Sequence, residues 1–280
     1  MSGYPKDEVL LARCRAGLGK IVIVEGESDD QDPYFYGRWF GGHARELTFL
    51  PQNGCEQVVR AVMELRAQFA PMREVYGIRD RDFCDDATLG AQDGAMPADG
   101  VLRPRRYTME NYLLEPEGWY EVVKLVHRST MPPGWDSVEA VRERVLDAYR
   151  RCLPVSAFNA IVKLEYERMS GDPTGTRLGY RSHPSAIDEA PLVELDAWGR
   201  ARSAQGSLRD AYEAEYARLR SASFEHWQCR VSGKAVIKVF HGSFPGVNAR
   251  HLLDNLYIDR YPQPPADLER LIQRILVAST

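Results

Sequence analysis

Two short acidic stretches carry the chemistry that can be read from this sequence. Val24-Glu25-Gly26-Glu27-Ser28-Asp29 sets a carboxylate directly behind an apolar run. Gly77-Ile78-Arg79-Asp80-Arg81-Asp82-Phe83 sets two more, two residues apart, behind another. Mg2+ prefers oxygen ligands in near-octahedral geometry and retains several waters, so carboxylates gathered from separate strand ends suit it. An extended backbone turns residues i and i+2 to one side, which would aim Asp80 and Asp82 together. Gly26 lets the chain turn sharply behind Glu25.

The elements that must position these residues alternate. Ile21-Val22-Ile23-Val24 is a continuous β-branched run, as expected of a strand buried on both faces. Asp32-Pro33 reads as a helix start, with Asp as N-cap and Pro at the first helical position, and Gly41-Gly42 as its stop. Leu47 to Leu50 reads as a second strand. Asn53 reads as the cap of a helix whose stripe is Val58, Val62, Leu65 and Phe69. Residues 74–78 read as a third strand and 101–107 as a fourth, with a mobile loop between them over 84–100. A helix over 116–127 follows.

This β-α-β-α-β order predicts an α/β fold with a mainly parallel sheet, whose ligands sit at the carboxyl ends of the strands. Met131-Pro132-Pro133-Gly134 is a break, and the rest reads as helices over 137–168, 207–227 and 265–278. The expected domains are therefore 1–130 and 131–280.

Composition narrows the function classes. Of 280 residues, 44% are hydrophobic, enough for a buried core, and the net charge of -4 gives no global nucleic-acid footprint. Any basic surface must be local, and Arg103, Arg105 and Arg106 form such a run. The five cysteines are odd in number, far apart and without a C-x-x-C, which argues against a disulfide framework or a zinc site. The six histidines show no metal spacing. No signal-peptide core and no bilayer-length apolar run occurs, so a cytoplasmic protein without membrane contact is expected. Gly19-Lys20 and Gly233-Lys234 lack the remaining residues of a P-loop.

The acidic motifs resemble the Toprim domain, the E-G-x-x-D and D-x-D module of topoisomerases, bacterial primases and several nucleases. Tyr107-Thr108-Met109-Glu110-Asn111-Tyr112-Leu113-Leu114 and Ser232-Gly233-Lys234-Ala235-Val236 are similar to motifs of a bacterial family of stand-alone Toprim proteins. Members are often encoded beside an ABC-type ATPase in phage-defence loci. The nuclease subunits of PARIS systems belong there, and the overcoming-lysogenization-defect nucleases are more distant. The resemblance implies a Rossmann-like Toprim domain followed by a mostly α-helical region.

It also implies a Mg2+-dependent nuclease, with Mn2+ able to replace Mg2+, acting on RNA (transfer RNA among the candidates) or DNA. Asp80 and Asp82 would hold one ion. Glu25 would hold a second or act as general base, and Glu110 would join the cluster. Glu27 and Asp29 would be outer or alternate ligands. Lys234, then Lys238, then Arg81, are the candidates for a cation facing the transition-state charge, and Arg81, Lys238 and the Arg103–Arg106 run for nucleic-acid contact. The implied partners are the nucleic-acid substrate, an ABC-type ATPase and, through the helical half, a second copy of the chain.

Each residue also has a plainer reading. Glu110 fits a first-turn acid answering a helix dipole. Lys234 fits an ordinary helix start, and the arginine run fits a solvated face. A topoisomerase would need a DNA gate and a tyrosine nucleophile, and a bacterial primase a zinc module. The expected function is thus a nuclease acting as a toxic effector of antiphage defence. The alternative is a non-catalytic Toprim subunit docking on an ATPase.

Overall fold

The computed structural model describes residues 8–28, 31–68, 74–128, 130–168, 178–181, 187, 189–201, 206–246 and 252–278. Of the expected site residues, only Asp29 lies outside them. The chain groups into two compact units: Met1–Met109 with Asn255–Thr280, and Glu110–Asp254.

The first unit is built on four parallel strands, β1 (Lys20–Glu25), β2 (Leu47–Gln52), β3 (Val75–Ile78) and β4 (Val101–Leu102), in the order β2-β1-β3-β4. This is the parallel α/β sheet expected from the alternation of elements. The apolar run Ile21–Val24 forms the middle of β1 and is buried throughout, because helices cover both faces. On one face, Ile21 and Ile23 share a core with Leu11 and Cys14 of α1 (Glu8–Arg15) and with Val58, Ala61, Val62 and Leu65 of α3 (Cys55–Gln68). On the other, Phe49 pairs in register with Val22, and Tyr36 of α2 (Asp32–Trp39) stacks on it at 5.3 Å. Gln31 rather than Asp32 is the N-cap residue of α2, so Asp32 and Pro33 occupy its first turn.

Two expectations in this unit are corrected. The segment expected as a loop contains α4 (Asp86–Gly94), capped by the Asp85 carboxylate, which accepts from the Thr88 amide at 2.6 Å. The fourth strand is two residues long, since Arg103 to Met109 leave the sheet.

The unit bounds also differ from the division at residue 130. The chain returns to the first unit through α11 (Leu253–Arg260) and α12 (Ala266–Val277). The apolar stripe Leu268, Leu271, Ile272 and Ile275 of α12 is buried. Lys20 Nζ donates to the Ala278 carbonyl at 2.7 Å, and Arg274 to the Ala95 carbonyl at 2.6 Å.

The second unit is helical. It contains α5 (Pro116–Val126), α6 (Val138–Arg168), α7 (Glu189–Ala201), α8 (Leu208–Arg220), α9 (Phe224–Arg230) and α10 (Gly233–Ser243). Helix α6 is its spine, in contact with α5, α8, α9 and α10. Trp119, Trp135, Phe240 and Phe244 form an aromatic cluster in which each tryptophan lies 4.9 to 5.8 Å from both phenylalanines. The stretch expected as one helix over 207–227 is broken at Ser221–Ser223, where Ser223 caps α9 by accepting from the His226 amide. Among the described residues, no helix is long and apolar enough to cross a membrane.

Candidate functional site

In the order β2-β1-β3-β4, successive connections leave β1 toward opposite edges of the sheet, so the strand order reverses between β1 and β3. A crevice opens outside the carboxyl ends of two strands at such a point. Glu25 is the last residue of β1, and Asp82 follows four residues after β3. Gly26 leaves the strand at a φ of 154°, which turns the chain behind Glu25 as its type suggests.

A third residue joins them. Cys55, the first residue of α3, lies beyond the end of β2. Its Sγ is 2.8 Å from Glu25 Oε2 and 3.1 Å from Asp82 Oδ2. Glu25 and Asp82 thus come together at one sulfur, although 57 positions separate them in sequence. Burial raises the Cys55 pKa well above the usual thiol range, and the negative charges of Asp82 and Glu25 raise it further. The sulfur stays a protonated thiol at neutral pH. Sequence reasoning counted Cys55 only among five cysteines without disulfide or zinc spacing; its place at a strand-to-helix junction behind β2 was the signal available.

Asp80 bonds to the backbone. It is buried, and its Oδ1 accepts from the Met109 amide at 3.1 Å. The Asp82 amide donates to the Tyr107 carbonyl at 3.0 Å, so the tail of β3 is clasped to residues 107–109 at two points. The extended i, i+2 geometry expected for Asp80 and Asp82 does not occur. Asp82 sits in a turn at a φ of 49°, a left-handed conformation that Asp tolerates better than most residues, and this carries its carboxylate to Cys55.

Glu27 is exposed, with its amide donating to Gln31 Oε1 at 2.8 Å. Arg81 is corrected from a nucleic-acid contact to an internal brace. It is buried, and its guanidinium donates to the Cys84 carbonyl, the Arg105 carbonyl and the Asp86 carboxylate. Asp85 and Asp86 are thereby engaged in capping and ion pairing. Arg105 is exposed, while Arg103 and Arg106 are half-buried.

Glu110, Lys234 and Lys238 belong to the second unit. There Lys234 and Lys238 are exposed on α10. The motifs around Asn111 and Gly233 meet in that unit. Buried Asn111 accepts from the Gly233 amide at 3.0 Å and donates to the Val231 carbonyl at 3.0 Å and to the Tyr149 hydroxyl at 2.9 Å. A Cβ on residue 233 would lie 2.3 Å from the Asn111 nitrogen, so only glycine fits.

Among the described residues, no group of three or more His, Cys, Asp and Glu side chains is arranged to hold a metal ion. Mg2+ needs less from a protein: one or two carboxylates, with waters and substrate phosphate completing the shell. Glu25 and Asp82 meet that smaller requirement. Their setting also favours a cation, because the thiol has one proton to donate and faces two carboxylate oxygens. The residues present therefore fit a hard divalent cation held by two carboxylates. No protein-family model matches this chain, and no curated protein or solved structure matches it.

Proposed function

We propose that the sheet unit is a Toprim-type nuclease centre that hydrolyses phosphodiester bonds with Mg2+, or with Mn2+ in its place. The observation that carries this reading is the meeting of Glu25 and Asp82 on the Cys55 sulfur, where the strand order reverses. Glu25 and Asp82 would hold the ion. When bound, it would polarise the phosphate and stabilise the leaving oxygen. Asp80 acts here as a positioning residue: through the Met109 amide it fixes the turn that delivers Asp82. Glu25 would hold the ion or serve as general base on the attacking water.

The substrate would be RNA, with transfer RNA as one candidate, or DNA. The Toprim resemblance supplies the proposed setting, a toxic effector of antiphage defence restrained by an ABC-type ATPase. A second reading, a non-catalytic Toprim subunit docking on an ATPase, is favoured by the thiol that bridges the two carboxylates.

Incubation of transfer RNA and plasmid DNA with Mg2+ separates the two. A nuclease gives cleavage that is lost with chelator, in Glu25→Gln and in Asp82→Asn. A binding module gives the same background in all four reactions.

A further inference from the structure

A second feature of the sheet unit is a cavity of about 320 Å³ between the residues that follow β4 and helix α12. Six charged side chains line it: Asp93, Arg103, Arg105, Asp267, Arg270 and Arg274. Arg270 and Arg274 are four residues apart, on one face of α12. Four guanidinium groups against two carboxylates leave an excess of positive charge, on a chain whose net charge is -4.

The cations are unequally committed. Arg105 pairs with Asp93 at 2.5 Å, and Arg274 donates to the Ala95 carbonyl at 2.6 Å. Among the described residues, the guanidinium groups of Arg103 and Arg270 have no hydrogen-bond or ion-pair partner, and the Nε of Arg103 is buried. An arginine is always charged, and its planar fork matches the oxygens of a phosphate. A buried N–H without an acceptor is costly and is relieved by an anion in the cavity.

We propose that this cavity binds phosphate groups, with Arg103 and Arg270 as their principal donors. The phosphate would come from a nucleic-acid strand or from a small phosphorylated molecule. Only the choice of a strand rests on the nuclease reading above, since the cavity needs none of the residues assigned to the cation.

The test measures binding in chelator, where no cleavage occurs. A fluorescein-labelled oligoribonucleotide is titrated with the full chain by anisotropy at several salt concentrations, and inorganic pyrophosphate by calorimetry. The variants are Arg270→Glu, at an exposed helix position, and Arg103→Gln, each with its thermal unfolding checked. If the cavity takes a strand, Arg270→Glu weakens the oligonucleotide several-fold and lowers the log–log salt slope by about one. If it takes a small phosphate compound, only pyrophosphate binding falls. Unchanged binding of both probes in folded Arg270→Glu overturns the proposal. Weakened binding in chelator, together with no cleavage by the wild type in the Mg2+ incubation above, would sink the nuclease reading and leave the phosphate site standing.

Discussion

Cys55 holds one proton in front of two carboxylates, and the consequences are measurable. Burial and the charges of Asp82 and Glu25 all act against ionisation of the thiol. Cys55 should react with iodoacetamide more slowly than a small free thiol at the same pH, as read by peptide mass mapping. Asp82→Asn removes one of the opposing charges and should speed the reaction. A wild-type Cys55 as reactive as the small thiol would contradict the geometry. Cys152 gives a separate pH effect. Burial pushes its thiol up to about 12, whereas an unfolded chain ionises near about 8.5. The native state therefore keeps a proton that the unfolded state loses. The stability contribution is complete below about 8.5 and declines as pH rises toward 12. Urea midpoints should fall less between about pH 8 and about pH 10 in Cys152→Val than in the wild type.

At the scale of elements, the contact between Gly233 and Asn111 is the most constrained. Gly233→Ala would force a methyl group against the Asn111 backbone nitrogen. Loss of roughly 2 kcal/mol or more in urea unfolding is expected. Asp85→Ala removes the cap of α4 and should cost about 1 kcal/mol by the same measurement. The strands β1, β2 and β3 and the helices α2, α3, α5 and α12 were legible in the sequence to within a few residues, because apolar periodicity and Pro or Gly punctuation mark them locally. Helix α4 was hidden, since its composition resembles a loop. Its order depends on the Asp85 cap and on Arg81 reaching Asp86. The left-handed bend at Asp82 was hidden too, because a single such residue leaves no trace in a short acidic motif. Cys55 escaped notice for a different reason: its role arises only when three strand ends are brought to one edge.

At the scale of the whole chain, the sheet unit is discontinuous in sequence, taking its last helix from the C-terminal segment. A chain ending at Pro264 would lack the buried stripe of α12 and the bond from Lys20 to Ala278. It should lose the cooperative thermal transition of the sheet unit and become sensitive to protease within residues 8–109. The amphipathic pattern of α12 was plain in the sequence, but such a stripe states only that a surface is covered and not which one. That is why the boundary expected near residue 130 differs from the division into units after Met109. The overall acidity likewise concealed the arginines of the cavity, which lie on α12 and behind β4, more than 160 positions apart.

The central claim is that Glu25 and Asp82 share a divalent cation. A crystal soaked in Mn2+, with data collected for anomalous scattering, tests it most directly. The account requires an anomalous peak within coordination distance of both carboxylates, absent in Asp82→Asn crystals treated alike. A peak elsewhere, or none beside Glu25 and Asp82 in the wild type, would contradict it.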